Sequence, residues 1–179
     1  MKMKQLSYVL VIAATFGLFR AETAQAGWKR TNANASIVAN SADDLVNKLK
    51  EIAKESEGDT VGDYDLAQEA KEYTQNKLAD AYATLIFFAH KSPNKKRYIK
   101  QVSKTLSAAQ MKRVNAILKQ LDRMPASEED QSRVQEYILE QSEDIAEYEV
   151  EKAEKSFAKE FRTVITEKSR EKAKNQPGA

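Results

Sequence analysis

The chain contains no cysteine and only one histidine among its 179 residues. The absence of thiols excludes a disulfide framework, thiol redox chemistry and a cysteine nucleophile. A zinc site built from the usual histidine and cysteine ligands is excluded for the same reason. The fold must therefore be held together by packing, and the sequence predicts no metal and no cofactor.

Proline and glycine are also scarce, with three and five residues respectively. They interrupt the chain at a few places only: Gly58 and Gly62 bound a polar loop, Pro93 lies in a turn, and Pro125 ends a helix. Between these points apolar residues recur at helical spacing, and no segment has a defensible strand pattern. The sequence therefore predicts an all-α fold, a helical bundle of four to five helices with one long C-terminal helix.

Long apolar runs are absent except at the N-terminus. There, Lys2 and Lys4 precede an apolar run over 6–19, and small residues follow, with Ala24 and Ala26 at the positions that signal peptidase reads. This layout predicts a signal peptide cleaved directly after Ala26. An N-terminal membrane anchor is the alternative, but about 14 apolar residues fall short of the roughly 20 that span a bilayer. We expect a bacterial protein that is exported, either periplasmic or secreted.

Four segments follow from composition. Residues 1–26 form the predicted signal peptide, and residues 27–40, rich in Asn, Ala, Ser and Thr, form a predicted mobile leader without regular structure. Residues 41–172 are expected to be a single helical domain, whose first helix Ser41 would cap. Residues 173–179 are expected to be a disordered tail.

Apolar residues at positions i, i+3, i+4 and i+7 define the predicted inner faces of the helices. These residues are Leu45, Leu49, Ile52 and Ala53; Leu66, Ala70, Tyr73, Leu78, Ala81, Tyr82 and Leu85; Met111, Val114, Ile117, Leu118 and Leu121; and Val134, Ile138, Ile145, Tyr148, Phe157, Phe161 and Val164. The segment 85–89 is apolar on all sides, which predicts a central core helix. The alternative is an apolar patch, including Phe87 and Phe88, that contacts a partner or a membrane.

The chain has no excess charge of either sign once residues 1–26 are removed, because 26 basic and 26 acidic residues remain. An exported protein without net positive charge is a poor candidate for nucleic-acid binding. The charges are nevertheless segregated: residues 91–124 carry ten basic and one acidic residue, and residues 125–151 carry one basic and ten acidic residues. Because the two blocks meet at Pro125, we expect an antiparallel hairpin in which each compensates the other.

Within the acidic block, carboxylates follow one another at i, i+4 spacing, where like charges destabilise an isolated helix. The two rows are Glu136, Glu140 and Asp144, and Glu143, Glu147 and Glu151. They either face the basic block or face outward, where they would recruit a cationic partner or a divalent metal.

Catalytic or metal-binding patterns are weak. Asp59, Asp63, Asp65 and Glu69 surround a glycine-containing loop, but their spacing fits no EF-hand, so a polar loop with a helix cap is predicted. His90 lies near the end of a helix, where a protonated imidazole would suit the helix dipole. No pair of carboxylates is marked as an acid and a base, and we expect a protein that is not an enzyme.

Ser107 and Gln110 form a predicted capping box at the start of a helix. The five residues from Leu106 to Gln110 read Leu-Ser-Ala-Ala-Gln, and this run resembles the LTxxQ motif of the Spy and CpxP family of small helical periplasmic stress proteins, with Ser in place of Thr. Only this one copy of the motif is present. The resemblance implies a cradle-shaped helical dimer that holds unfolded clients.

The sequence thus predicts an exported, non-enzymatic protein that binds another protein. It would act as a periplasmic chaperone or an envelope-stress adaptor, or associate with itself as a homodimer through its long C-terminal helix. The alternative is a secreted effector or toxin-like protein that acts on a membrane through residues 85–89. An enzyme with an unrecognised carboxylate site is a third reading.

Overall fold

A computed structural model describes residues 24–55, 60–124 and 130–174 of the chain. The described residues form five helices and no strand, which confirms the all-α fold with its long C-terminal helix. The helices are α1 (Ala24–Glu55), α2 (Thr60–Lys91), α3 (Lys95–Val102), α4 (Ala108–Leu121) and α5 (Asp130–Lys174). The last of these runs for 45 residues.

The predicted leader over 27–40 is wrong, because these residues belong to α1. Thr31, Ala35 and Val38 are almost completely buried along one face of the helix, at spacings of four and three residues. This stripe is hard to see in the sequence because only Val38 is large and apolar. Ser41 is likewise not a helix cap: it lies within α1 and is buried.

Local signals at the short helices are confirmed. Residues 92–94 form the predicted turn, after which the Asn94 side chain caps α3 by accepting a hydrogen bond of 3.1 Å from the backbone N–H of Arg97. Ser107 caps α4, and the reciprocal bonds of a capping box are both present. These elements depend on neighbouring residues only, which explains why the sequence predicts them well.

The described residues divide into two compact units, so the predicted single domain over 41–172 is shared between them. Unit 1 contains the described residues up to Ala39 together with Asp80–Ser142, and unit 2 contains Asn40–Ala79 together with the described residues from Glu143 onward. Helices α1, α2 and α5 each supply residues to both units.

The core of unit 1 is built around the C-terminal part of α2. Its largest fully buried side chains are Val38, Tyr82, Leu85, Ile86, Leu118, Leu121 and Ile138. Leu85, Ile86 and Ala89 are each at most 1% exposed, which confirms that this segment is a core helix. All five predicted inner residues of α4 are buried as well.

The core of unit 2 is smaller and leaves part of the predicted inner faces open. Its buried side chains include Leu45, Leu49, Ile52, Leu78, Val150 and Ala153. Four residues that the spacing placed on inner faces are exposed instead: Leu66, Tyr73, Tyr148 and Phe161. For these four positions the sequence-based prediction is wrong.

Several predicted features lie outside the described residues. These are the signal segment up to residue 23, the loop at Asp59, the turn at Pro125 and the tail from residue 175. Ala24 and Ala26 lie in the first turn of α1, and the predicted tail overlaps α5 at residues 173–174. Among the described helices, none is both long enough and apolar enough to cross a bilayer.

Candidate functional site

Large exposed apolar side chains are concentrated in unit 2. Those found among the described residues are Tyr64, Leu66, Tyr73, Tyr148 and Phe161, with exposed fractions of 69%, 52%, 67%, 51% and 42%. All of them belong to unit 2. Single exposed apolar residues are common on protein surfaces, but several in one small unit favour a binding surface.

Two of these side chains lie at a groove between α1 and α2, and all residues that line this groove belong to unit 2. The groove has a volume of about 570 Å³. Its lining consists of Ser41, Asp44, Leu45, Lys48, Ile52 and Glu55 from α1, and Leu66, Glu69, Ala70, Tyr73, Thr74 and Lys77 from α2. The three- and four-residue spacing on each helix shows that the two helices turn their facing stripes into the groove.

The groove is open because small side chains occupy the facing positions. Ser41, Ala70 and Thr74 cannot fill the space between two helices in the way that leucine would. Thr74 satisfies its own hydroxyl by donating a hydrogen bond of 2.8 Å to the carbonyl oxygen of Ala70. Leu45 and Ile52 form an apolar floor that is itself almost fully buried, at 1% and 8% exposed, and the accessible apolar surface beside it is that of Leu66 and Tyr73.

The two lysines at the groove both interact with neighbours on their own helix. The ammonium group of Lys48 lies 3.4 Å from a carboxylate oxygen of Glu51, and that of Lys77 lies 5.9 Å from the centre of the Tyr73 ring. The groove carboxylates are those of Asp44, Glu55 and Glu69, all exposed. No ion pair joins these three carboxylates to another residue within the described part of the chain.

The two units have opposite net charge. The described side chains of unit 2, at 40–55, 64–79 and 143–161, comprise 14 acidic and 8 basic residues, a net charge of −6. Those of unit 1, at 27–39, 80–124 and 131–142, comprise 4 acidic and 13 basic residues, a net charge of +9. The apolar groove therefore belongs to the acidic unit.

The structure places the predicted partner residues Phe87 and Phe88 in an aromatic cluster of unit 1, where both are half-buried. Their ring centres are 6.3 Å apart in an edge-to-face arrangement. The Phe88 ring also stacks on Tyr98 at 6.4 Å, and Tyr98 stacks on Trp28 at 5.9 Å. The segment 85–89 is therefore buried or half-buried and does not form a broad exposed patch.

The predicted acidic surface of α5 faces outward. All six of its carboxylates are exposed, namely Glu136, Glu140, Glu143, Asp144, Glu147 and Glu151. In unit 2, ion pairs between helices use acidic residues further along α5: Lys71 lies 3.1 Å from Glu154, and Lys50 pairs with Glu160. The turn of the predicted charge-compensated hairpin lies outside the described residues, so this hairpin stays a prediction.

The capping box residues lie in a structural position. Ser107 Oγ accepts a hydrogen bond of 3.3 Å from the Gln110 backbone N–H, and Gln110 Oε1 accepts one of 2.9 Å from the Ser107 backbone N–H. Gln110 is buried, with an exposed fraction of 8%. Its side chain is therefore not part of an open binding surface.

The acidic loop at 59–69 and His90 are the features that the sequence offers for metal-binding or acid–base chemistry. The described part of the chain contains no group of three or more His, Cys, Asp or Glu side chains that could hold a metal ion. Of the predicted acidic loop, the side chains of Asp65 and Glu69 are described, and both are exposed. The pKa of His90 is lowered by burial and by Lys91 and Lys95, so the neutral imidazole is favoured rather than the charged form expected at a helix end.

Comparison of the chain with known protein families, with characterised proteins and with solved structures finds no match. The groove of unit 2 combines exposed apolar side chains with the acidic character of that unit.

Proposed function

We propose that this chain is an exported, non-enzymatic helical protein that binds another polypeptide through the groove of unit 2. The observation that carries the proposal is the grouping of exposed large apolar side chains in one unit, with Leu66 and Tyr73 at the edge of an apolar groove. A groove between two helices is a common binding site for an amphipathic segment of a partner, whose apolar side chains supply the anchors.

The dimensions of the groove are consistent with this role. Its volume of about 570 Å³ lies within the range of roughly 300–1,000 Å³ that is typical of binding pockets. The floor formed by Leu45 and Ile52 is apolar but already buried, so the apolar area that a partner can cover is mainly that of Leu66 and Tyr73. Such a site gains binding energy from buried apolar area and does not require one particular side chain in the partner.

A periplasmic chaperone or envelope-stress adaptor is the specific form of this function that we favour. Export is supported by the signal-like segment over 1–26, and the stress-protein family is supported by the resemblance at 106–110. Ser107 and Gln110 belong to unit 1, where Ser107 caps α4 and Gln110 is buried, so they are not part of the groove itself.

A client-aggregation assay tests the proposal. Light scattering of a chemically denatured model client should rise more slowly in the presence of the protein, and the double variant Leu66→Ser/Tyr73→Ser should lose most of this effect. Both residues are largely exposed, so circular dichroism should show unchanged helicity.

The matched control is Tyr64→Ser/Tyr148→Ser, which removes two exposed apolar side chains of unit 2 that do not line the groove. This variant should retain the protection. Equal loss of protection in both double variants, or no protection by the unmodified protein, would overturn the proposal.

A further inference from the structure

We infer that the groove of unit 2 selects a cationic amphipathic segment, meaning a polypeptide helix with apolar side chains on one face and lysine or arginine at its flanks. This inference rests on the proposed function and specifies its partner. It combines two independent observations: the apolar groove and the net charge of −6 on the described side chains of the same unit.

The charges nearest the bound segment point to the same partner. Asp44, Glu55 and Glu69 line the groove and are exposed. The groove also has two lysines, of which Lys48 is paired with Glu51 and Lys77 keeps its charge beside the Tyr73 ring, so carboxylates outnumber ammonium groups there by three to two. A segment that lies over the apolar floor would therefore meet carboxylates at its flanks. Lysine or arginine at those flanks would gain Coulomb energy, and aspartate or glutamate would be repelled.

The spacing of the carboxylates sets the spacing of the cations. Asp44 and Glu55 are 11 residues apart on α1, which corresponds to about 16 Å along the helix axis at roughly 1.5 Å per residue. A helical partner that lies along α1 matches them with basic residues about three turns apart. Glu69, on α2, provides a charge on the opposite wall.

A second copy of the chain fits the groove less well. Two copies that met through unit 2 would match apolar surface but would bring two net charges of −6 together. Unit 1 has the complementary charge, yet none of its described large apolar side chains is exposed to serve as an anchor. A vesicle of anionic lipid meets the same repulsion as a second unit 2.

The energies of ion pairs and of apolar contacts indicate different roles for the carboxylates and for the apolar side chains of the groove. An exposed ion pair contributes about 0–1 kcal/mol, so three flanking pairs together change affinity by about tenfold. The apolar anchors contribute more, because burying one large apolar side chain is worth about 1.5–3 kcal/mol. Apolar contacts thus provide most of the affinity, and the carboxylates provide the preference for a cationic partner.

The test compares two fluorescent helical peptides of equal length with the same leucine positions, one carrying lysine and the other glutamate at all polar positions. Fluorescence anisotropy with the purified protein should show the lysine peptide binding at least about tenfold more tightly. This preference should shrink as salt is raised, because exposed charges are screened.

Two triple variants identify the charges that cause the preference for the lysine peptide. Asp44→Asn/Glu55→Gln/Glu69→Gln should remove most of the preference for the lysine peptide. The control Asp43→Asn/Asp65→Asn/Glu147→Gln removes three exposed charges of unit 2 that do not line the groove, and it should retain the preference. Equal loss in both triple variants would overturn the assignment to the groove carboxylates.

The remaining outcomes separate this inference from the proposed function. If both peptides bind equally and Leu66→Ser/Tyr73→Ser abolishes the binding of each, the groove binds polypeptides but the cationic preference is wrong. If the lysine peptide binds that double variant as tightly as the unmodified protein, or if neither peptide binds, the proposed function is wrong as well. Co-sedimentation with vesicles of phosphatidylglycerol that Tyr73→Ser prevents would replace the polypeptide by a membrane. A dimer in analytical ultracentrifugation that Tyr73→Ser dissociates would replace it by a second copy.

Discussion

The side-chain amide of Gln110 donates a hydrogen bond of 2.8 Å to the backbone carbonyl oxygen of Val38, 72 residues earlier in the chain. The other end of the same amide, Oε1, accepts from both the backbone N–H and the hydroxyl of Ser107, each at 2.9 Å. One buried side chain therefore completes the cap of α4 and ties that helix to α1. This explains why a capping box that looks local in sequence holds a tertiary contact.

Gln110→Ala should destabilise unit 1 more than Ser107→Ala does. Loss of the cap alone costs about 0.5–2 kcal/mol, and the alanine at 110 also leaves the Val38 carbonyl without this donor. Gln110→Glu keeps an acceptor for the cap but replaces the donor that faces Val38. Urea unfolding followed by the fluorescence of Trp28, the single tryptophan, measures all three. A Gln110→Glu variant as stable as the unmodified protein would show that the contact with Val38 contributes nothing.

The same substitution should have very unequal effects on stability at two leucines of α2 that both belong to unit 2. Leu78→Ala should cost about 2–5 kcal/mol, because Leu78 is fully buried and its loss leaves a cavity. Leu66→Ala should change stability by less than about 0.5 kcal/mol, because Leu66 is 52% exposed. Chemical denaturation followed by circular dichroism measures both. A large loss at position 66 would mean that the groove is closed in solution.

His90 should titrate below the ordinary histidine pKa of 6.5, because burial and the charges of Lys91 and Lys95 lower its pKa in the folded protein. The unfolded chain then binds the proton more readily than the folded one. The free energy of unfolding should therefore not depend on His90 above about pH 6.5, and it should fall as the pH is lowered from there through the pKa of His90 in the folded protein. His90→Gln should remove that part of the pH dependence. NMR of the single imidazole gives the pKa directly, and a value above 6.5 would contradict the prediction.

Tyr98 should ionise well above the ordinary tyrosine pKa, because burial raises its pKa to about 12, against a smaller lowering effect of the hydrogen bond with Thr31. The folded pKa lies above the ordinary value of 10.0, so the unfolded chain releases this proton first. The free energy of unfolding should not depend on the ionisation of Tyr98 below about pH 10, and it should fall as the pH rises toward 12. Difference absorbance at 295 nm, compared with Tyr98→Phe, should show this late step, and its absence would mean that the ring is solvated.

Removing the hydroxyl group of Tyr98 should cost little stability at neutral pH. Thr31 Oγ1 lies 3.3 Å from the Tyr98 hydroxyl and also donates to the Gly27 carbonyl oxygen at 2.9 Å. Because Thr31 keeps the second bond, Tyr98→Phe should cost no more than about 1.5 kcal/mol at neutral pH. The stacking of the ring on Trp28 and Phe88 is retained in that variant, so Trp28 emission should change little.

The amino-acid sequence by itself determined the class of the fold and the features that depend on neighbouring residues. The helical spacing of apolar residues, the turn at 92–94 and the capping box at Ser107 follow from interactions within a few residues, and the apolar composition of 85–89 on all sides of the helix predicts its place in the core. The acidic character of residues 125–151, which include the first half of α5, is equally a property of the sequence. These predictions are confirmed because the forces behind them act over one or two helical turns.

Only the tertiary structure decided which apolar faces are covered. Thr31 and Ala35 are buried although the sequence around them looks polar, and Leu66 and Tyr73 are exposed although their spacing is that of an inner face. Burial depends on what packs against a residue, and in the first case the partners come from positions far away in the chain. The groove exists because small residues meet at facing positions of α1 and α2, and that pairing of distant positions is a property of the folded chain alone.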